Sequence, residues 1–208
     1  MIKNIFESIY QKGMWGRKET KCGPGSKLEN TQEIRVLLPK LIKEYGIKSI
    51  LDAGCGDLNW MKLVPLDIMY FGVDIVDELI QNNTKLYGNE NRMFLQRDIT
   101  KDHLPFVDLI MCRDVLYHLS FDNIKKAINN FMLYSDGYIM LTSMGLPSAY
   151  EGHFENCEIK DGKYRRLDLQ KAPFNFPTPI YQFKDGNRQE IMCLYKTSNL
   201  NCAFTRGE

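Results

Sequence analysis

The sequence predicts an α/β fold with a mostly parallel sheet covered by helices on both faces. Three observations carry that expectation. Runs that are apolar at every position alternate with helical stripes between Ser49 and Ser143, the pattern of parallel strands buried on both faces. The stretch Ser49-Ile50-Leu51-Asp52-Ala53-Gly54-Cys55-Gly56-Asp57 reads as a buried strand entering a glycine-hinged turn and a helix. Met69-Tyr70-Phe71-Gly72-Val73-Asp74 then reads as a second strand, ending in a carboxylate at the spacing of a βαβ unit.

The turn speaks to a ligand. Gly54 and Gly56 remove side chains where a ligand must lie on the backbone, and the helix beyond begins with unpaired N–H groups. An acid closing the second strand is the usual partner of the two hydroxyls of an adenosine ribose. A dinucleotide fingerprint needs a third small residue, whereas here the position is Asn59, between Asp57 and Trp60. A carboxylate at the helix start repels a pyrophosphate and suits a cationic amino-acid group. S-adenosylmethionine (SAM), with a ribose, no phosphate and two cationic groups, fits this turn better than NAD.

Composition sets the outer limits. The chain has 208 residues with 44% hydrophobic and 25% charged residues, which suits one globular domain with a full core. A net charge of +1 argues against a general nucleic-acid binder. No apolar run approaches the roughly 20 residues of a membrane span. Charge interrupts Met1-Ile2-Lys3-Asn4-Ile5-Phe6-Glu7 too early for a signal peptide. Six cysteines without a Cys-x-x-Cys pair read as cytosolic thiols, neither a zinc site nor a disulfide framework.

Taken in order, Ile2, Ile5, Phe6 and Ile9 predict an amphipathic helix over 2–11. A glycine-rich segment follows, with Trp15 and Cys22-Gly23-Pro24-Gly25-Ser26, so residues 1–30 read as a helix and a lid over the ligand. Ile34, Leu37, Leu38, Leu41, Ile42 and Tyr45 give a helical stripe in which Pro39 should kink or restart the helix. Ser26 or Asn30 is the candidate cap. After Asp57 a short helix should end before Pro65. Beyond the second strand come a helix through Leu79, Ile80, Asn83 and Tyr87, a third strand over 93–99, and a fourth over 107–112 continuing toward Leu119. Ser120 precedes a helix with Ile124, Ala127, Ile128 and Phe131 on its apolar face, and a fifth strand covers 137–143. Residues 145–178 carry three prolines and mixed charge without a stripe, which suits a substrate loop. The runs 180–184 and 190–196 about Asp185-Gly186-Asn187 read as a closing hairpin, and 197–208 as a polar tail.

With these motifs assembled, the chain resembles the class I SAM-dependent methyltransferases. Leu51 to Asp57 looks like that family's first motif, Asp74 its ribose acid, Asp98-Ile99 its adenine-edge pair and Cys112 to Leu119 its fourth motif. The resemblance implies a Rossmann-like seven-stranded sheet of order 3-2-1-4-5-7-6 with its last strand antiparallel. A narrower resemblance runs through Trp15, Gly23-Pro24-Gly25-Ser26, Leu38-Pro39, Asp52 to Trp60, Arg113-Asp114-x-x-x-His118-Leu119 and Pro173-Phe174-Asn175-Phe176-Pro177. It is similar to small bacterial methyltransferases, some of which accompany polysaccharide or capsule clusters and O-methyl phosphoramidate decoration.

The implied cofactor contacts are Trp15, Gly25, Ser26, Asp52, Gly54, Cys55, Gly56, Asn59, Trp60, Asp74, Ile75, Asp98, Ile99, Cys112 and Arg113. Asp52 would hold the ammonium group, Asp74 the ribose, Asp98 the adenine amino group, and the Ile99 N–H the adenine ring. Arg113, Asp114, Tyr117 and His118 form the densest polar cluster at a strand's carboxyl end, where α/β enzymes place their chemistry. His118 is the candidate base, and a structural histidine is its alternative. Arg165 and Arg166 are candidates to grip a phosphate or carboxylate, or else belong to a solvated charge run. His153 would reach the site only if the loop folds over it. The expected reaction is SN2 methyl transfer from SAM to oxygen or nitrogen of a small anionic acceptor, leaving S-adenosylhomocysteine (SAH), with no metal. An NAD-dependent oxidoreductase and a non-catalytic SAM-binding partner subunit are the rival readings.

Overall fold

A computed structural model of the chain describes residues 2–144, 154–186 and 189–204, the last four of them by backbone alone. Its regular elements are α1 (Ile2–Lys12), α2 (Gln32–Glu44), β1 (Ser49–Ala53), β2 (Met69–Asp74), α3 (Asp77–Tyr87), β3 (Arg92–Gln96), β4 (Leu109–Cys112), α4 (Phe121–Tyr134), β5 (Tyr138–Met144), β6 (Tyr181–Lys184), β7 (Glu190–Lys196) and α5 (Thr197–Phe204). The seven strands form one sheet in the order β3-β2-β1-β4-β5-β7-β6. Pairing is parallel from β3 through β5, and β7 runs antiparallel to both β5 and β6. That is the Rossmann-like order expected.

The unbroken apolar runs now have a cause. Successive residues of β4 serve two different cores: Ile110 and Cys112 pack with Ala127, Ile128 and Phe131 of α4, while Leu109 and Met111 pack with Ile34, Leu38 and Leu41 of α2. A strand covered on both faces has no position left for a polar side chain. Because every strand that binds this sheet together is parallel in its central part, the carboxyl ends of β1, β2 and β4 lie along one rim, which is where ligands bind in such sheets.

Several local expectations need correction. No regular helix follows Asp57: Leu58 takes a left-handed φ of 53°, and only a short 3₁₀ turn at Met61–Leu63 precedes Pro65. The fourth strand stops at Cys112, and its expected extension is a bend and a 3₁₀ turn at Leu116–His118. The third strand ends at Gln96, before Arg97 and Asp98. α2 runs through Pro39 as one helix, and its cap position is Thr31, not Ser26 or Asn30, which lie in 3₁₀ turns. Residues 197–204 form α5, with Leu200 fully buried, in place of the expected polar tail. Ser120, by contrast, caps α4 by accepting from the Asn123 N–H. No helix among the described residues is long and apolar enough to cross a membrane.

Phe131 is wholly buried where α4 seals the sheet. Replacing it with alanine should cost about 3–5 kcal/mol in urea unfolding. A loss below about 1 kcal/mol would show that α4 does not close that face.

Candidate active site

The carboxyl ends of β1, β2 and β4 open into a cavity of about 1000 Å³, counted to its open mouth. Its floor is built from the first turn. The N–H groups of Gly54 and Cys55 both donate to the Val73 carbonyl, at 2.8 and 3.0 Å, and Asn83 Nδ2 of α3 donates to the Gly56 carbonyl at 2.7 Å. Both glycines are required by shape. They have φ of 84° and 58°, and a Cβ would meet Val115 Cγ2 at 2.3 Å on Gly54 and Cys22 Sγ at 2.8 Å on Gly56. Asn83 was passed over as a member of the α3 stripe; a polar residue at a buried helical position was the signal.

Asp74 closes β2 facing this turn. Its Oδ2 accepts from the Gly56 N–H at 3.1 Å and its Oδ1 from the Val76 N–H at 3.0 Å. Each carboxylate oxygen therefore keeps acceptor capacity for a ligand hydroxyl. Burial raises the Asp74 carboxyl above the usual carboxylate range, against the lowering effect of those N–H groups. Asp52, 3% exposed, accepts from the Tyr70 hydroxyl at 2.8 Å. Burial pushes it up to about 7, only partly offset by the Tyr70 hydrogen bond and the Arg113 charge. Asp98 also lines the cavity, with its Oδ1 accepting from the Thr100 N–H and hydroxyl and its Oδ2 3.6 Å from Lys101 Nζ. Ile75 and Ile99 line the same wall.

On the far side, the bend just after β4 contributes Arg113 and Asp114, and the 3₁₀ turn contributes His118. The Arg113 guanidinium is 2.8 Å from Asp185 and 3.2 Å from Asp114, and lies 5.3 Å over the Trp60 ring. The cover comes from the first thirty residues, with Ile2, Phe6, Trp15 and Ser26 on the wall. Trp15 stacks on the His118 ring with centroids 4.5 Å apart and planes at 25°. Burial lowers the basicity of His118 below the ordinary 6.5. Cys22 and Cys55 line the cavity as thiols that burial holds well above their ordinary range, so they present sulfur without charge.

Not every expected contact is on the wall. Cys112 and Gly25 are buried beside it, and Tyr117 packs on His118 and Tyr164. Asn59 turns to the cover instead, its amide donating to Glu19 Oε1 at 2.7 Å and the Ser26 carbonyl at 3.0 Å. Asp57 does likewise: its Oδ2 accepts from the Thr20 hydroxyl and the Lys21 N–H. Arg165 is 4% exposed and not on the wall, donating to the carbonyl of Leu119 from behind it, while Arg166 is exposed. His153 lies outside the described residues. Tyr10, Lys21, Arg97, Thr100 and Val115 line the cavity without having been singled out. Folding brings Tyr10 and Lys21 in from the cover, whereas Arg97, Thr100 and Val115 adjoin or lie within the motifs in sequence.

The family profile described as Methyltransferase domain matches residues 51–141. Magnesium protoporphyrin IX methyltransferase (ChlM) from Synechocystis PCC 6803, with bound SAM, is similar in structure at 17% identity and TM-score 0.61, over 93% of this chain and 95% of that one. Human N-acetylserotonin methyltransferase in complex with SAM is similar at 15% identity and TM-score 0.57, over 94% of this chain and 59% of that one. N-methyltransferase NodS from Bradyrhizobium japonicum WM9 is similar at 15% identity and TM-score 0.57, over 79% of this chain and 94% of that one. No curated protein matches the chain significantly.

The raised Asp52 carboxyl makes stability depend on pH. The folded state holds this proton between the ordinary 3.8 and about 7, so its contribution is complete below 3.8 and is lost as pH rises through about 7. Asp52→Asn should therefore be more stable than the parent at pH 8, by about 2–4 kcal/mol, with the gain vanishing toward pH 4. Equal urea midpoints at pH 8 would mean that Asp52 ionises without cost. Residues 51–141 match the methyltransferase-domain profile, and the sheet has the fold seen in structures of SAM-dependent methyltransferases.

Proposed function

We propose that the protein transfers the methyl group of SAM to an oxygen or nitrogen of a small acceptor bearing a phosphate or carboxylate, and releases SAH. The observation that carries the cofactor reading is Asp74. A half-buried carboxylate, oriented by the Gly56 and Val76 N–H groups and open to the cavity, suits a ribose diol. The remaining groups fit SAM in kind. Asp52 offers a carboxylate for a cationic ammonium group, Gly54 and Gly56 leave the backbone bare, and Asp98 with Ile99 stands where an adenine edge would lie. Asn59 and Asp57, occupied with the cover, leave no helix N-terminus bared for a pyrophosphate.

When bound, SAM supplies an electrophilic methyl group on a cationic sulfur. The chain's own work is alignment and exclusion of water. Phe6 and Trp15 cover the cavity, so an acceptor held between Trp15, Asp114 and His118 would meet the cofactor in a largely apolar enclosure. His118, kept neutral by burial, can take the proton of a hydroxyl or amine. Support for an anionic acceptor comes from Lys21, on the wall, and from the exposed Arg166. The likeness to methyltransferases of polysaccharide and phosphoramidate clusters points the same way. The free thiols of Cys22, Cys55, Cys112 and Cys157 agree with a reducing, cytoplasmic setting.

Calorimetry of SAM and SAH against the purified protein is the direct test. Micromolar binding is expected, with Asp74→Ala weakening it ten-fold or more, on the order of 1.5–3 kcal/mol for charged hydrogen bonds. Because a cationic ligand prefers the ionised Asp52, affinity should fall as pH drops below about 7; a folded protein that binds neither ligand would sink the reading.

Phosphorylated sugars, nucleotides and phosphoramidates are the acceptors to screen by SAH release. With any that reacts, His118→Ala should lower kcat by ~10²-fold or more while leaving SAM affinity nearly unchanged. Full activity would make His118 structural.

A further inference from the structure

The segment from Glu158 to Arg165 wraps the turn that carries His118 and satisfies its backbone group by group. Three consecutive carbonyls of that turn accept from it. Tyr117 O takes the Arg165 N–H at 3.2 Å, His118 O the Gly162 N–H at 2.8 Å, and Leu119 O the Arg165 Nη1 at 2.7 Å. The start of α4 is held from the same side. Asp161 accepts from the Ser120 N–H and from Asn123 Nδ2, at 2.7 and 2.8 Å, and Glu158 accepts from the Phe121 N–H. The two backbone N–H groups among these are of the kind a helix start leaves without intrahelical partners. His118 itself completes the set, its Nδ1 lying 2.8 Å from the Lys163 carbonyl.

That last contact fixes a proton. A carbonyl oxygen can only accept, so Nδ1 carries the hydrogen and the lone pair of the neutral ring is on Nε2. Arg165 is an odd member of the clamp. It is buried, with Nε and Nη2 unpaired among the described residues, and its guanidinium lies 4.8 Å over the Phe121 ring. A buried cation with two unpaired donors costs stability, and its one described side-chain hydrogen bond, to the Leu119 carbonyl, is itself buried.

We propose that this segment presets His118 as a base: the Lys163 carbonyl selects the Nδ1–H tautomer, and Arg165 is a positioning residue that holds the turn in that register. The proposal rests on the methyl-transfer reading for its purpose. As an acceptor oxygen or nitrogen forms its bond to the methyl carbon, the carbon–sulfur electron pair stays on sulfur. The acceptor's proton passes to Nε2, and the positive charge ends on a ring whose Nδ1–H still donates to Lys163. Two charged groups act on that ring in opposite senses, Asp114 raising and Arg165 lowering its basicity. Trp15, Tyr117 and Tyr164 supply the uncharged faces.

Two-dimensional nitrogen-15 spectra of the histidine-labelled full chain test this without any acceptor. The chain has three histidines, and His118→Gln identifies the signal. The expected spectrum shows a neutral Nδ1–H ring titrating below 6.5. Arg165→Met should admit the Nε2–H tautomer and raise the midpoint by roughly 0.5–1 unit, the effect of one nearby charge. Arg165→Lys should restore the low midpoint. An Nε2–H ring in the parent protein, or an Arg165→Met spectrum identical to the parent's, overturns the proposal. SAH calorimetry on the same samples separates the two readings. A parent protein that binds no SAH removes the methyl-transfer reading, while the ring spectrum still decides the clamp.

Discussion

The structure depends most on the guanidinium of Arg113. It is almost wholly buried at the carboxyl end of β4, between Asp114 and a fully buried Asp185, with the Asn30 carbonyl and the Trp60 ring as its further neighbours. Those groups come from the hairpin between β6 and β7, the approach to α2 and the segment after the first turn. One cation thus joins four parts of the chain that are remote in sequence. Such a pair adds little net stability, because two charges leave water to form it. What it adds is uniqueness, since removing any one partner strands the others at a cost of about 3–5 kcal/mol. It also holds Asp114 at a φ of 61°, a strained left-handed turn that the Thr142 hydroxyl supports by accepting from the Asp114 N–H. That turn is what swings the chain from β4 toward His118.

Around this cation the site gathers more negative charge than the fold needs. Asp52 and Asp74 both lie where burial disfavours their ionised forms. In a protein selected for stability alone, apolar residues would serve better at these two positions. Their cost is understandable if a ligand supplies the missing donors: hydroxyls for Asp74, a cation for Asp52. The same logic explains why Gly54 and Gly56 face them. The ligand has to approach within hydrogen-bond reach of two carboxylates, and only bare backbone leaves that room.

Most of this frame was legible in the sequence, because it is local. The first turn, the acid ending β2 and the strands buried on both faces are each contained in a few consecutive residues. The sheet order was implied by the family resemblance, with which the closing hairpin agreed. What could not be read is where polar side chains turn once the chain has folded. Asn59 and Asp57 lie inside the motif yet serve the cover through Glu19, Thr20 and Lys21, some forty residues upstream. Arg165, in a charged and proline-rich stretch, reads as a solvated arm and is instead buried against Leu119, 46 residues back. Hydrophobic period says which face a residue takes on a helix or strand. It says nothing of loops, where these partners sit.

The two loops that escaped the pattern meet at His118. Trp15 covers one face of the ring, and the Lys163 carbonyl fixes its edge. Gly162 of the second loop in turn lies against Ile5 and Ile9 of α1, so the cover and the clamp also pack on each other. The neutrality of the ring comes first from its burial, and much of that burial is supplied by Trp15. On the proposed methyl-transfer reading, cover and base are one device. Whatever seats Trp15 over the cavity excludes water from the reaction and, by the same contact, keeps His118 in the form that can accept a proton.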